Sequence, residues 1–569
     1  MDVWRYGKRV VGKALRRAER WAFPPPVEPD WKQILKSDRT RWSEISKAAK
    51  GGLRVLIATS VGGHKPAMPM ESLLAVALTL RGADVHFLLC DGVLPACMQA
   101  TIGQFRDQSE FVRHGPVRSL CDNCFAIGYA TYRPLGLPVH RYSRLITRTE
   151  RRMADELSVS IPLSDIGDFR LDGLAVGEHA LAGALRYFAK GDLGDEPYGE
   201  AVLRRYLEAS LLTMYALRRL VDSFEFKVAC FHHGIYVPQG VVGEVVRRRE
   251  GRVVNWHTAY RKPCFIFSHH DCYHHTLMSE PPALWENMRW TPELESQVMD
   301  YLESRRRGTR DWISFHEKPE EDLAAIARDL GIDFSKPCVG LLTNVVWDAQ
   351  LHYPANAFPN MLQWVMETIS YFMKRPDLQL IIRVHPAEVR GTLPSRQPVV
   401  EEIRKLFPVL PENIIVIPPE CPVSTYTVME QCDSVIIYGT KTGVELSSLG
   451  IPIIVAGEAW IRNKGLTLDA HTAEQYFQLL DRLPLGERMG EASIRRARMY
   501  AYHFFFRRMI PLSMMEPTTS WPPYHLRISG LDDLMPGRDA GLDVICQGIL
   551  EGSDFVYPAE LEDPSPLSV

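Results

Sequence analysis

The sequence predicts an α/β protein of two Rossmann-like, doubly wound lobes with a terminal crossing helix. Three observations predict it: short apolar strands alternate with helix-length segments, Gly-rich turns directly follow several strands, and the whole pattern restarts after a charged connector. The 569 residues, 46% hydrophobic and 24% charged, suffice for more than one buried core. A formal net charge of −3 supplies no global basic field, so nucleic acid is not an expected partner. No run reaches the roughly 18 apolar residues of a spanning helix, and the first residues lack the apolar core of a secretory signal; a cytoplasmic location is expected. The eleven cysteines, odd in number and mostly isolated, read as reduced thiols rather than a disulfide framework.

The expected order is a basic N-terminal segment (1–50), a first lobe (51–282), a helical connector (283–335), a second lobe (336–485), a crossing helix (486–520) and an irregular tail (521–569). The opening "WRYGKRVVGKALRRAERWAFPPP" sets seven Lys and Arg against one Glu, with apolar residues at helical spacing and a Pro stop. Residues 4–22 suit an anionic membrane surface as well as a helix docked on the protein itself.

In the first lobe, "LRVLIATSVGGHKPAMPMESLLAVALTLRGADVHFLLCDG" reads as strand, Gly-rich loop, helix and strand, with Gly82 ending the helix. It lacks G-x-G-x-x-G, so the dinucleotide reading is weak. His64 closes the loop. At a strand's carboxyl end it faces the cleft, where a neutral imidazole can take a proton from a hydroxyl; the alternative is a helix-capping histidine. The segment "VACFHHGIYVPQGVVGEVVRRREGRVVNWHTAY" repeats the unit and places His232, His233 and Tyr236 at the equivalent edge. The stretch "FSHHDCYHH" crowds histidines around Asp271; its spacing matches no common zinc motif, which favours sugar-binding or structural roles over metal. Cys90, Cys97, Cys121 and Cys124 form a C-x6-C and a C-x2-C pair. The set suits a structural zinc or a cluster, or four small core or loop residues.

In the second lobe, strands are expected at "CVGLLTN", "LQLIIRVHP", "NIIVIPP", "SVIIYGT" and "IPIIVAG". Their ends carry Asn344 and Asp348, then Arg383, His385 and Pro386, then Gly439, Thr440, Lys441 and Thr442. Hydroxyls and backbone N–H groups in such a turn suit a phosphate, with Arg383 and Lys441 adding charge. Glu445, one turn on, reads as a ribose ligand or as a carboxylate held by the helix dipole. A Walker A loop is absent.

The stretches "RVHP" (383–386), "TKTGVELSSLGIPIIVAG" (440–457) and "NKGLTLD" (463–469) resemble bacterial capsule polysaccharide biosynthesis proteins of the Kdo-transferase kind, and the two-lobed pattern resembles GT-B glycosyltransferases. The resemblance implies a nucleotide-sugar donor, CMP-sugar favoured over UDP-sugar, with His385 and Pro386 at the nucleotide and Thr440 and Thr442 at the phosphate. It implies a functional acid at Asp348, a base from the first lobe at His64 or His233, and no catalytic metal. It also implies a saccharide or lipid-linked glycan acceptor, polysaccharide-assembly proteins as partners, and a place on the inner face of the cytoplasmic membrane. Lys464 stands where the family has Trp. Position 437 is Ile where retaining enzymes often carry Glu, which favours inversion. A sugar-nucleotide epimerase and a non-catalytic assembly subunit are the alternatives.

Overall fold

The computed structural model describes residues 28–105, 107–312, 319–349, 356–519 and 521–562. The basic helix expected at 4–22, and the end of the loop that begins at Asn344, lie outside the described residues.

The first lobe is a seven-stranded sheet in the order β13-β6-β5-β4-β1-β2-β3. Its strands are β1 (Arg54–Ser60), β2 (Asp84–Leu89), β3 (Val139–Arg141), β4 (Val228–His232), β5 (Arg252–Thr258) and β6 (Cys264–His269), completed by β13 (Ile510–Pro511). β1 pairs in parallel with β2 and β4, and β4 with β5. β6 runs antiparallel to β5, and β13 to β6. The second lobe is a parallel sheet in the order β12-β11-β10-β7-β8-β9. It comprises β7 (Cys338–Leu342), β8 (Gln379–Arg383), β9 (Ile414–Ile417), β10 (Ser434–Ile437), β11 (Ile453–Val455) and β12 (Leu468–Asp469). These are two Rossmann-like lobes.

Unbroken apolar runs are what a sheet covered on both faces demands. β4, β7, β8, β10 and β11 are buried along their whole lengths. The helix Ala67–Leu80 is buried from Ala67 to Thr79, all round its circumference. Its second cover comes from the chain's far end, since Leu531, Leu534, Leu542 and Ile545 share its core.

That packing corrects the expectation of an irregular tail beyond residue 520. The strands Met515–Pro517 and Tyr524–Leu526 pair, and Ala540–Glu551 is a helix. Leu542, Ile545, Cys546 and Ile549 recur at helical spacing and are buried. The Pro-, Gly- and acid-rich composition around them concealed that stripe.

The chain crosses between lobes where expected. The helix Glu491–Tyr502 lies against the second lobe, with Arg498 Nε donating to the Ser448 carbonyl at 3.1 Å. The chain then turns through a π-helical stretch, His503–Arg507, into β13, where Ile510 pairs with Phe265 of the first sheet. Arg507 and Arg508 do not face outward as a membrane patch. Arg507 pairs with Glu560 at 3.0 Å and Arg508 with Glu280 at 3.2 Å, both well covered. No described helix is long and apolar enough to cross a membrane.

Candidate functional site

The carboxyl edges of the two sheets meet around a wall of histidines. His64, His232, His233, His257 and His274 come from four separate elements of the first lobe. Their ring centroids lie 4.4 Å apart for His64 and His232, 5.1 Å for His232 and His257, 5.0 Å for His233 and His257, and 6.3 Å for His233 and His274. Each loop is held from behind. The His232 N–H donates to Thr59 Oγ1 at 2.8 Å, and the Thr59 hydroxyl in turn donates to Glu71. The His179 ring bonds the Ile235 carbonyl through Nδ1 at 2.6 Å. His233 adopts a left-handed φ of 66°, followed by Gly234 at 78°, which turns the chain sharply beneath the ring.

These imidazoles are neutral. Burial is the largest cause, and it lowers His64 and His274 to about 3 each; His257 depresses both further, and Arg186 adds to the effect on His64. His232, His233 and His257 shift in the same direction, again chiefly by burial. His64 Nε2, His232 Nδ1 and His233 Nδ1 are buried without a hydrogen-bond partner among the described residues. Buried polar atoms are rarely left so, and here they form a polar surface suited to hydroxyl-rich ligands.

The second lobe meets this wall through Asp348. Tyr236 Oη donates to Asp348 Oδ1 at 3.0 Å and accepts from the Ala349 N–H at 3.1 Å. The Tyr236 ring stacks on His233 at 5.3 Å, and the Arg186 guanidinium lies 5.3 Å from the same ring. On the other flank Trp460 contacts Tyr273 at 5.4 Å and His274 at 5.6 Å. Arg186, His257 and Trp460 escaped the sequence reading, since none sits in a recognisable pattern.

In the second lobe the strand ends are knitted side by side. The His385 N–H donates to Thr343 Oγ1 at 3.0 Å, and the Gly439 N–H to Asn344 Oδ1 at 3.2 Å. His385 Nδ1 accepts from the Ala387 N–H at 3.0 Å, which leaves the ring proton on Nε2 in the neutral form; Pro386 stands directly before that short helix. Thr440 and Thr442 share a hydroxyl contact of 3.2 Å. His385, Pro386, Gly439, Thr440 and Thr442 are therefore brought to one sheet edge.

Three expected ligands have other occupations. Arg383 is 2% exposed and donates to the Pro418 carbonyl at 2.5 Å and the Cys421 carbonyl at 3.1 Å. Burial lowers its pKa to about 10, and it clamps a loop. Glu445, also 2% exposed, pairs with Arg305 at 3.1 Å and accepts from the Tyr426 hydroxyl, so it is not an open ribose ligand. Lys441 leans back to Glu445 at 3.7 Å and over the Tyr260 ring at 4.7 Å. Arg305 belongs to the connector helix Pro292–Arg306 and also binds Asp311. One arginine of the connector's Arg305, Arg306 and Arg307 run gave no sign of this role.

Two further expectations meet the geometry. Asp271, Cys272 and His275 offer ligand atoms within 4.8 Å of one another, whereas Cys90, Cys97, Cys121 and Cys124 form no such group, so no preformed zinc tetrahedron is present there. Lys464 is buried, and its ammonium donates to the Met278 carbonyl at 3.1 Å and to that of Glu280, which ties the second lobe to the first.

Residues 338–495 match the model of the family described as capsule polysaccharide biosynthesis protein. A search of curated protein sequences finds no match. Among solved structures, the β-Kdo 2,4-transferase KpsC of Thermosulfurimonas dismutans is 14% identical, covering 48% of this chain and 80% of that one at a TM-score of 0.32. The UDP-GlcNAc 2-epimerase of Neisseria meningitidis, bound to UDP-GlcNAc, is 9% identical, covering 79% of this chain and 95% of its own at 0.23. A glycosyltransferase of Rickettsia africae is 9% identical, covering 88% and 99% at 0.27. The second lobe carries the sequence pattern of the capsule polysaccharide biosynthesis proteins, and the chain as a whole is built of two Rossmann-like lobes.

Proposed function

We propose that the protein transfers a sugar from a nucleotide-sugar donor, CMP-sugar favoured over UDP-sugar, to a saccharide or lipid-linked glycan acceptor of a surface polysaccharide. The observation that carries this reading is the wall of neutral, partly unpartnered histidines set against Asp348 at the junction of two lobes, the second of which matches the capsule family.

In this reading the donor nucleotide lies at the second lobe's edge, by His385 Nε2–H, Pro386 and the Gly439–Thr442 turn. The acceptor hydroxyl faces the histidine wall. His64 or His233, being neutral, accepts its proton as oxygen attacks the anomeric carbon, and the bond to the departing phosphate breaks in the same displacement. Inversion follows from that single step. The phosphate charge is met by N–H and hydroxyl donors of the turn and by Arg186, rather than by Arg383. Asp348 holds Tyr236 and favours the imidazolium that forms nearby. No metal has a part in the displacement. Residues 4–22 would place the protein at the inner membrane surface, beside polysaccharide-assembly proteins.

The test is thermal stabilisation by CMP, UDP, GDP and ADP, beside a His385→Ala variant. A ligand about 100-fold above its dissociation constant adds roughly 2.7 kcal/mol to the folded state. Stabilisation by CMP, lost in the variant, is expected. Preference for UDP moves the donor class, and conversion of a free UDP-sugar without acceptor makes the protein an epimerase. No response to any nucleotide overturns the reading.

A further inference from the structure

We infer that Cys90, Cys97, Cys121 and Cys124 ligate a tetrathiolate metal centre, of iron–sulfur-cluster rather than zinc dimensions, beneath the Gly62–Gly63–His64 loop. This does not depend on the transferase reading.

The four cysteines come from two separate stretches of the chain and converge in space. Cys90 directly follows β2, Cys97 lies in the loop after it, and Cys121 and Cys124 sit one turn apart on the helix Arg118–Tyr132. They line one recess together with Val61, Gly92, Leu94, Gln99 and Leu120. No carboxylate or imidazole is among the lining residues. Such a sulfur-only donor set selects a thiophilic metal over magnesium or calcium.

One backbone N–H is aimed at the sulfurs: that of Gly63 donates to Cys124 Sγ at 3.1 Å. Gly92, beside Cys90, lies in the left-handed region at φ 81°. N–H groups directed at sulfur are usual surroundings of thiolate-bound clusters, whose charge they stabilise without a full cation.

Alternative uses of these cysteines fit less well. All four are free, so they form no disulfide. The spacing then selects among metals. Zinc with bonds of about 2.3 Å draws its sulfurs to about 3.8 Å from each other. No three of these sulfurs lie within 4.8 Å of one another. A cluster of four irons and four sulfides holds its thiolates further apart, around a cube.

The position gives the centre a consequence. A Cβ at Gly62 would lie 2.3 Å from the Cys124 carbonyl oxygen, and Val61 lines the recess. The loop that presents His64 therefore rests on the cysteine helix, and a bound centre braces it.

The test uses the full chain purified under nitrogen, before and after incubation with ferric chloride, sodium sulfide and dithiothreitol. Iron, zinc and acid-labile sulfide are measured, with visible absorption and mass-spectrometric alkylation of each cysteine. The expected result is about four irons and four sulfides per chain, lost in Cys121→Ser/Cys124→Ser and retained in Cys421→Ser. Alkylation of the four wild-type cysteines should rise on chelation, a readout that needs no variant to fold. One zinc with the same protection supports the tetrathiolate centre and overturns its cluster dimensions. Neither metal, with all four cysteines alkylated equally before and after incubation, overturns the inference.

Discussion

Tyr236 of the first lobe donates its phenolic proton to Asp348 of the second at 3.0 Å and accepts the Ala349 N–H at 3.1 Å, so a single hydroxyl joins the lobes at the cleft. Removing that hydroxyl tests the junction. Tyr236→Phe keeps the ring on His233 but removes its hydrogen bond to Asp348. Sugar transfer should fall roughly tenfold, and Asp348→Asn should cost about 10²-fold. Thermal melts should move little, because Asp348 is solvent-exposed and can rehydrate. A large loss of stability with unchanged turnover would make the contact purely structural.

Acid should destabilise the protein through the histidine wall. His64 and His274 have folded values of about 3, below the ordinary 6.5, so between those limits the unfolded chain binds more protons. Their contribution is complete above pH 6.5 and declines as pH falls toward 3, at up to roughly 1.4 kcal/mol per pH unit for each group. Glu71 and Glu388, both raised to about 7 chiefly by burial, act oppositely between pH 4.5 and 7. His232, His233 and His257 are lowered as well, so with His64 and His274 the histidines outnumber them. Urea midpoints at pH 7 and pH 5 should show a net loss, and His64→Asn should shrink the difference between the two.

The Arg305–Glu445 pair should be costly to break and cheap to replace. Arg305→Ala leaves Glu445 buried beside Tyr426 with only Lys441 for charge, and should cost about 3–5 kcal/mol. Arg305→Met combined with Glu445→Leu should recover much of that loss in equilibrium denaturation. A double variant no more stable than the single one would mean that Asp311 or Lys441 needs the arginine independently.

Gly62→Ala is expected to displace the His64 loop. The added methyl meets the Cys124 carbonyl at 2.3 Å and the Gly128 backbone at 2.7 Å, where neither side can yield without moving a helix. A cost of about 1–3 kcal/mol and reduced turnover should follow, read by denaturation and by transfer assay. Gly136→Ala is the control: it lies in open space, though at a φ of 68° that brings a modest backbone cost of its own.

The sequence alone determined the two sheets, because buried parallel strands must be continuously apolar and their turns need Gly or small polar residues. It also brought His64 and His233 to the first lobe's edge, and His385 and Thr440 to the second's, because strand ends are local facts. The crossing of "RARMYAYHFFFRR" between lobes was legible for the same reason, as an apolar helical stripe.

Tertiary structure decided which charges are available. Arg383, Lys441 and Glu445 look alike in sequence as ligands, yet a carbonyl clamp occupies the first and Arg305 and its neighbours engage the others. A buried charge takes whatever partner the fold supplies, and that partner can stand over a hundred residues away. Distance in sequence likewise hid the tail helix that covers Ala67–Leu80, and the packing of "CDNC" against the Gly62 loop. Local pattern sets where strands and turns fall; the pairing of buried polar groups depends on non-local packing, and the function resides in that pairing.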